Sequence, residues 1–264
     1  MAESGRIEEK GHRKEVWETF WREKENVEHV YSNEDRILRN LLKIGDLRGK
    51  LVLEIGAGTG RDSFPLIRHG AHVVQLDYAE NSLRILKKLA DDLQLPAAIV
   101  GGDTFHLPFP DETFDVVFHQ GLLEHFRYDQ SDSLLKENIR VLKKGGVLLV
   151  DVPQRYHPYT LAKHFLMALN KWFAGWERSF SVVELKGRMK ALGLTPVYAY
   201  GEWMYPSFFY RSLREALKVV GFRLPLNPQP IKSLTRFRKS VREALYETPL
   251  TLYTAFNIGV FGRK

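Results

Sequence analysis

The chain has 264 residues, 44% of them hydrophobic and none a cysteine, with a formal net charge of +7. That size and apolar content suffice for a full buried core in one large domain, while the lack of cysteine excludes disulfides, thiolate metal sites and cysteine nucleophiles. The sequence contains no uninterrupted apolar stretch of about 18 residues and its Glu-, Arg- and Lys-rich start has no apolar leader core, so the expected location is the cytoplasm.

Residues 1–48 read as helices, with Val16, Trp17, Phe20 and Trp21 at helical spacing and Ile37, Leu38, Leu41 and Leu42 repeating it. Leu51 to Ile55 then form an apolar run of strand length. It leads into Gly56-Ala57-Gly58-Thr59-Gly60, and a helix can start in residues 63–69. Strand, tight loop and helix in this order describe a nucleoside-binding turn: Gly56 and Gly58 allow close backbone approach to a ligand, and Gly60 lets the helix pack on the strand. Asp77, 21 residues after Gly56, ends the next apolar run, where an open α/β sheet places a carboxylate able to accept from both ribose hydroxyls. A dinucleotide fingerprint would need its third glycine at position 61, which is Arg61.

A third apolar run at 96–102 ends in Asp103-Thr104-Phe105. A fourth at 114–119 ends in His119-Gln120-Gly121-Leu122-Leu123-Glu124-His125, and a polar helix is expected over 131–142. Lys143-Lys144-Gly145-Gly146 precedes a fifth strand at 147–152. Beyond it lie a crossover helix near 159–173, a helix opened by the capping-box pair Ser181 and Glu184, and an extended run at 194–201. Residues 250–261 alternate and carry β-branched and aromatic side chains, which predicts a closing strand. The 202–249 segment is far longer than a hairpin needs and holds two helical patterns, at 210–220 and 234–246, with Pro225, Pro228 and Pro230 between them.

From Glu54 through Val152 the order and spacing of these features resemble the class I S-adenosylmethionine-dependent methyltransferases, and the Leu107-Pro-Phe-Pro and Leu-Glu-His elements resemble the methyltransferase type 11 subgroup. The resemblance implies a Rossmann-like α/β fold: a seven-stranded, mostly parallel sheet with helices on both faces, N-terminal helices and a helical insertion before the last strand. One domain over 1–264 is expected, divided into N-terminal helices (1–48), a cofactor-binding core (49–201), a helical cap (202–249) and the closing strand (250–264).

The same resemblance implies S-adenosyl-L-methionine as cofactor. Gly56, Ala57, Gly58, Thr59 and Gly60 would line its methionine moiety, and Glu54 would order that loop or bind the amino group. Asp77 would take the ribose hydroxyls. Tyr78 would flank the adenine, Asp103 would read its amino group, Thr104 and Phe105 would complete that pocket, and Gln120 and Gly121 would pass beneath the sulfonium. Tyr31 is a candidate gate for the methyl group. Some relatives carry a metal on an E-x-x-E-H pattern, but its first position here is Gly121, so no metal is expected.

Methyl transfer from a sulfonium is an in-line displacement that depends chiefly on alignment and exclusion of water. His125 is the candidate base for a hydroxyl or carbon acid, with Glu124 to orient it; the alternative is that the pair only closes the strand-to-helix loop. His119 is expected to be half-buried, and His157 to face the same side. The implied acceptor is a small or lipid-like molecule.

Charge leaves other partners open. Residues 1–150 sum to −4 and residues 151–264 to +11, so an RNA or protein substrate docked on the basic half is an alternative, as is a non-catalytic binder. Trp203, Tyr205, Phe208, Phe209, Tyr210, Arg211 and Arg214 are expected to pack their aromatic rings inward as a cap. Base stacking or a lipid interface are the alternatives.

Overall fold

A computed structural model describes residues 13–22, 35–172, 174–203, 207–225, 232–246 and 248–264. Helices α1 (Lys14–Arg22) and α2 (Arg36–Leu42) precede β1 (Leu51–Ile55), α3 (Phe64–Arg68), β2 (His72–Asp77), α4 (Glu80–Asp92), β3 (Ala98–Gly101) and β4 (Phe114–Gln120). A 3-10 turn, Leu123–His125, leads to α5 (Tyr128–Val141), β5 (Leu142–Pro153), α6 (Pro158–Ala168), α7 (Val182–Ala191) and β6 (Thr195–Glu202). The chain closes with α8 (Phe208–Val219), α9 (Lys232–Tyr246), α10 (Pro249–Thr254) and β7 (Asn257–Arg263). The sheet has seven strands in the order β3-β2-β1-β4-β5-β7-β6. Its first five strands pair in parallel, while β7 runs antiparallel to both β5 and β6.

Successive strand residues point to opposite faces, so each central strand feeds two cores. Leu53 and Ile55 of β1, Val117 of β4 and Leu148 and Val150 of β5 pack with Leu134 and Leu135 of α5 and Leu185 and Met189 of α7. Val52, Val116, Phe118 and Leu149 face the other way, onto Ile37 and Leu41 of α2 and Leu66 and Ile67 of α3. Burial on both faces explains why these strands read as nearly unbroken apolar runs.

The last segment differs from expectation. Residues 249–254 are helix, and the closing strand starts only at Asn257. Pro249 stands in the first turn, where its missing N–H costs nothing, and the Thr251 and Thr254 hydroxyls donate to the carbonyls of Thr248 and Leu250. This helix lies directly on β6: a Cβ at Gly201 would come within 2.1 Å of the Thr251 carbonyl oxygen. The alternation at 250–261 thus mixes one helical turn with one strand. The capping box is also only half made. Ser181 Oγ accepts from the Glu184 N–H at 3.2 Å, but the Glu184 carboxylate turns to Arg155 and Arg178.

Beneath the carboxyl edge of the sheet, the buried Asp151 of β5 ties four elements together. Arg36 of α2 stands 3.2 Å from Oδ2, Tyr200 of β6 donates to Oδ2 at 2.6 Å and Asn257 of β7 donates to Oδ1 at 2.8 Å. Nearby, Arg39 of α2 reaches Glu202 at 2.5 Å, and Tyr246 of α9 donates to the same carboxylate. Removing one member of a buried charge network strands its partner, so Asp151→Ala is expected to destabilise the fold by about 3–5 kcal/mol in urea unfolding; a loss below about 1 kcal/mol would show that the network carries little stability.

Candidate active site

The glycine loop needs backbone that other residues adopt only at a cost: Gly56, Gly58 and Gly60 have φ of 67°, 58° and 65°. Asp77 holds the loop in place. Its Oδ2 accepts the Gly58 N–H at 2.9 Å and its Oδ1 accepts the Ala79 N–H at 2.9 Å, which joins the loop after β1 to the start of α4. Burial raises the Asp77 carboxyl, and these donors oppose that rise. Asp77 itself borders the cavity.

That cavity, of about 1340 Å³, is lined by Glu54, Gly56, Ala57, Gly58, Thr59, Asp77, Tyr78, Asp103, Thr104, Phe105, Gln120, Gly121 and His125. The expected cofactor positions therefore share one space, with one exception. Gly60 is turned away from the cavity, and a Cβ there would strike Gln75, Leu86 and Phe64, so its role is packing of the helix on the strand. Glu54 has one oxygen, Oε2, buried without a hydrogen-bond partner, and burial beside Asp62 drives the carboxyl well up. Thr104 Oγ1 is likewise buried without one. Asp103 Oδ1 caps its own turn through the Phe105 N–H at 3.0 Å. Tyr31 lies outside the described residues.

Helix α1 closes one side of the cavity. Glu18 accepts the N–H groups of Glu80 and Asn81 at the start of α4, at 2.6 and 3.0 Å, as a carboxylate placed at a helix N-terminus should. Trp17, Phe20 and Trp21 face the cavity, and Trp21 lies so close over the loop that a Cβ on Gly58 would come within 2.7 Å of its ring.

At the other end the 3-10 turn delivers Glu124 and His125, both buried, to the cavity wall. The partner expected for His125 is corrected: its Nδ1 stands 3.6 Å from Oε1 of Glu177, on the loop after α6, rather than beside Glu124. Glu177 in turn takes the buried Lys163 of α6 at 3.0 Å. Glu177, Lys163 and Tyr159 were not singled out in the sequence. The only local signal is Lys163 falling on the same helical face as the buried Thr160 and Met167. His119 is fully buried rather than half-buried, and burial pulls its imidazole down to about 3. His157 caps α6, its Nδ1 accepting the Tyr159 N–H at 3.1 Å. Neither of these two histidines lines the cavity.

The 202–249 insertion contributes Arg211, Arg214, Glu215 and Lys218 of α8, with Arg223 and Leu224, to the cavity rim, whereas α9 packs toward β6. The described aromatic side chains are divided: Trp203 and Tyr210 are half-buried, Tyr210 donating to the Pro225 carbonyl at 2.7 Å, and one ring points to solvent. Phe209 is exposed, and Trp203 stacks on Tyr246 and donates to Thr254. Tyr205 lies outside the described residues, as does the side chain of Phe208.

Burial removes water from the His125 imidazole and lowers its pKa, so the ring is neutral and able to accept a proton. Burial, reinforced by Glu177, lifts the Glu124 carboxyl from its ordinary 4.5 to about 8. The folded chain therefore holds a proton on Glu124 that the unfolded chain releases above 4.5. The contribution is fully present below 4.5 and is lost as pH rises through about 8. Thermal unfolding is expected to show Glu124→Gln gaining stability relative to the native chain as pH is raised across that window; a difference that stays flat with pH would refute the buried protonated carboxyl.

Residues 53–150 match the family described as methyltransferase domain. The demethylmenaquinone methyltransferase of Thermobifida fusca (strain YX) is 37% identical over 103 residues, which are 39% of this chain and 43% of that protein. The phosphatidylethanolamine N-methyltransferase of Cereibacter sphaeroides is 28% identical over 171 residues, 61% of this chain and 80% of that protein. The chain spans less than half the length of the first curated relatives it matches. Among solved structures, a possible histamine N-methyltransferase from Thermotoga maritima has a TM-score of 0.61 at 20% identity, covering 96% of this chain and all of that one, which shows a shared fold. Residues 53–150, which carry the glycine loop, Asp77 and the strands β1 to β4, are thus the part of the chain that is similar to a methyltransferase domain.

Proposed function

We propose that the chain transfers a methyl group from S-adenosylmethionine to a small or lipid-like acceptor held between the glycine loop and the Glu124-His125-Glu177 cluster. The observation that carries this reading is the continuity of the cavity: the same space touches Asp77 at one end and His125 and Glu177 at the other. The bound cofactor supplies an electrophilic methyl carbon on a sulfonium. In our reading, Asp77 accepts from the ribose and Tyr78, Asp103, Thr104 and Phe105 surround the adenine. Glu54, buried with an unpaired oxygen, fits the cofactor's ammonium group.

The protein's own work is positioning and proton management. Gln120 and Gly121 form the floor under the reacting atoms, and Trp17, Phe20 and Trp21 exclude water from them. His125 accepts the proton that the acceptor loses, and the Glu177 carboxylate beside Nδ1 orients the ring and stabilises the imidazolium that results. Lys163 holds Glu177 in place through its ion pair at 3.0 Å. The acceptors named for the curated relatives, demethylmenaquinone and phosphatidylethanolamine, are membrane-soluble molecules and support a lipid-like acceptor here.

Asp77→Ala is expected to weaken S-adenosylmethionine binding by about 2 kcal/mol in calorimetry, the scale of lost charge-assisted hydrogen bonds; unchanged affinity would remove the ribose assignment. His125→Ala should lower turnover by on the order of 10²–10⁴-fold and leave cofactor affinity intact. Incubation of cell extract with enzyme and labelled cofactor identifies the acceptor by its added methyl mass, and transfer of label to protein or RNA instead of a small molecule would overturn the proposed acceptor class.

A further inference from the structure

Two helices beside the cavity are amphipathic in the reverse of the usual sense. In α6, Lys163 is buried at 1% exposure and Thr160 and Met167 are buried with it, while Leu161 and Phe165, one turn apart on the opposite face, are 75% and 65% exposed. In α8, Arg211, Arg214 and Lys218 turn to the cavity, while Phe209 and Leu213, and Val220 at the helix end, are 76%, 53% and 67% exposed. Leu169 and Phe222, just beyond the two helices, extend the outward apolar set. A surface helix normally sends its apolar stripe to the core and its charges to water. Here α6 sends its charge to the interior, α8 sends its charges to the cavity rim, and both turn apolar side chains outward, on the two elements that wall the same cavity, through Tyr159 of α6 and Arg211 of α8.

We infer that this outward face docks on the surface of an anionic phospholipid bilayer. Exposed apolar side chains gathered on two helices that wall one cavity mark an interaction site, and charge selects the occupant. Residues 207–246 hold nine Lys or Arg against two Asp or Glu, and the chain from 151 onward sums to +11. A second copy of the chain would bring the same positive charge against itself, whereas anionic headgroups neutralise it while the acyl region takes Leu161, Phe165, Leu213 and Phe222. No helix among the described residues is long and apolar enough to cross a membrane, so the contact is with the surface. Docked in this way, the rim of the cavity between α6 and α8 faces the bilayer, and an acceptor with an apolar tail reaches the interior without crossing water.

The test is co-sedimentation of the full chain, without cofactor, with phosphatidylcholine vesicles and with vesicles containing about one third phosphatidylglycerol. The expected result is binding to the anionic vesicles, weak binding to phosphatidylcholine alone, and a loss on the order of tenfold in the combined variant Leu161→Ser, Phe165→Ser, Leu213→Ser and Phe222→Ser. Circular dichroism and cofactor calorimetry on that variant confirm that it is folded. Three results would each overturn the inference: no binding of the native chain to anionic vesicles, equal binding to neutral ones, or undiminished binding of the folded variant. Sedimentation velocity supplies the remaining arm: a dimer of the native chain that the same four substitutions dissolve would assign the face to a second copy. Because binding is read without cofactor or turnover, these outcomes are independent of the methyl-transfer reading.

Discussion

The structure around the site depends on the carboxylate of Asp77 accepting two backbone N–H groups from different elements. Gly58 lies in the turn after β1 and Ala79 at the entry to α4, and neither is a neighbour in the sheet; the side chain at the end of β2 joins them. Three left-handed glycines make the turn possible, and Asp77 makes it a single geometry. Once that turn is set, backbone groups of Gly56 to Thr59 face one cavity, and α1 closes over them with Glu18 capping α4 and Trp21 resting on Gly58. A dinucleotide site would widen this loop. The tighter G-x-G-x-G turn suits a ligand with a single nucleoside and an amino-acid tail.

The reactive end of the cavity is organised by burial. Four ionisable side chains, Glu124, His125, Glu177 and Lys163, meet there with almost no exposure to water; burial raises the Glu124 carboxyl and lowers the His125 imidazole, and the charges of Glu177 and Lys163 act on both. One ion pair, Lys163 with Glu177, is fully desolvated, the neutral imidazole lies beside it, and Glu124 keeps its proton. Under the proposed function, such a set suits local movement of one proton from the acceptor. The same helix that buries Lys163 exposes Leu161 and Phe165, so the interior chemistry and the unusual exterior of α6 arise from one rotation of that helix.

Much of this was legible in the sequence where the physics is local. The glycine spacing, the strand-length run before it and the carboxylate after the next run required only backbone sterics and strand length, and they predicted β1, α3, β2 and the place of Asp77 at the end of β2. The places of Asp103 to Phe105 after β3 and of Gln120 to His125 at the end of β4 were likewise readable, while their roles toward a cofactor came from the resemblance. What escaped was non-local. Glu177 reaches His125 from a loop after α6, a meeting that no spacing encodes, so Glu124 was the nearer but wrong partner. The packing role read for Gly60 agrees with the three side chains that crowd it from α3, α4 and β2, although the resemblance also set it along the methionine moiety. Residues 250–261 alternate as a strand does, but Pro249 and the close approach to Gly201 set one helical turn first. Helix α8 has an evident apolar stripe; only the packing shows that the stripe points away from the protein.

The most direct measurement of the central claim is a crystal structure of the chain with S-adenosylhomocysteine. The account predicts the ribose hydroxyls within hydrogen-bonding distance of Asp77, the amino-acid tail along Gly56 to Thr59 and the thioether sulfur facing the space before His125. The nucleoside bound elsewhere, or bound in this cavity with its ribose away from Asp77, would contradict it.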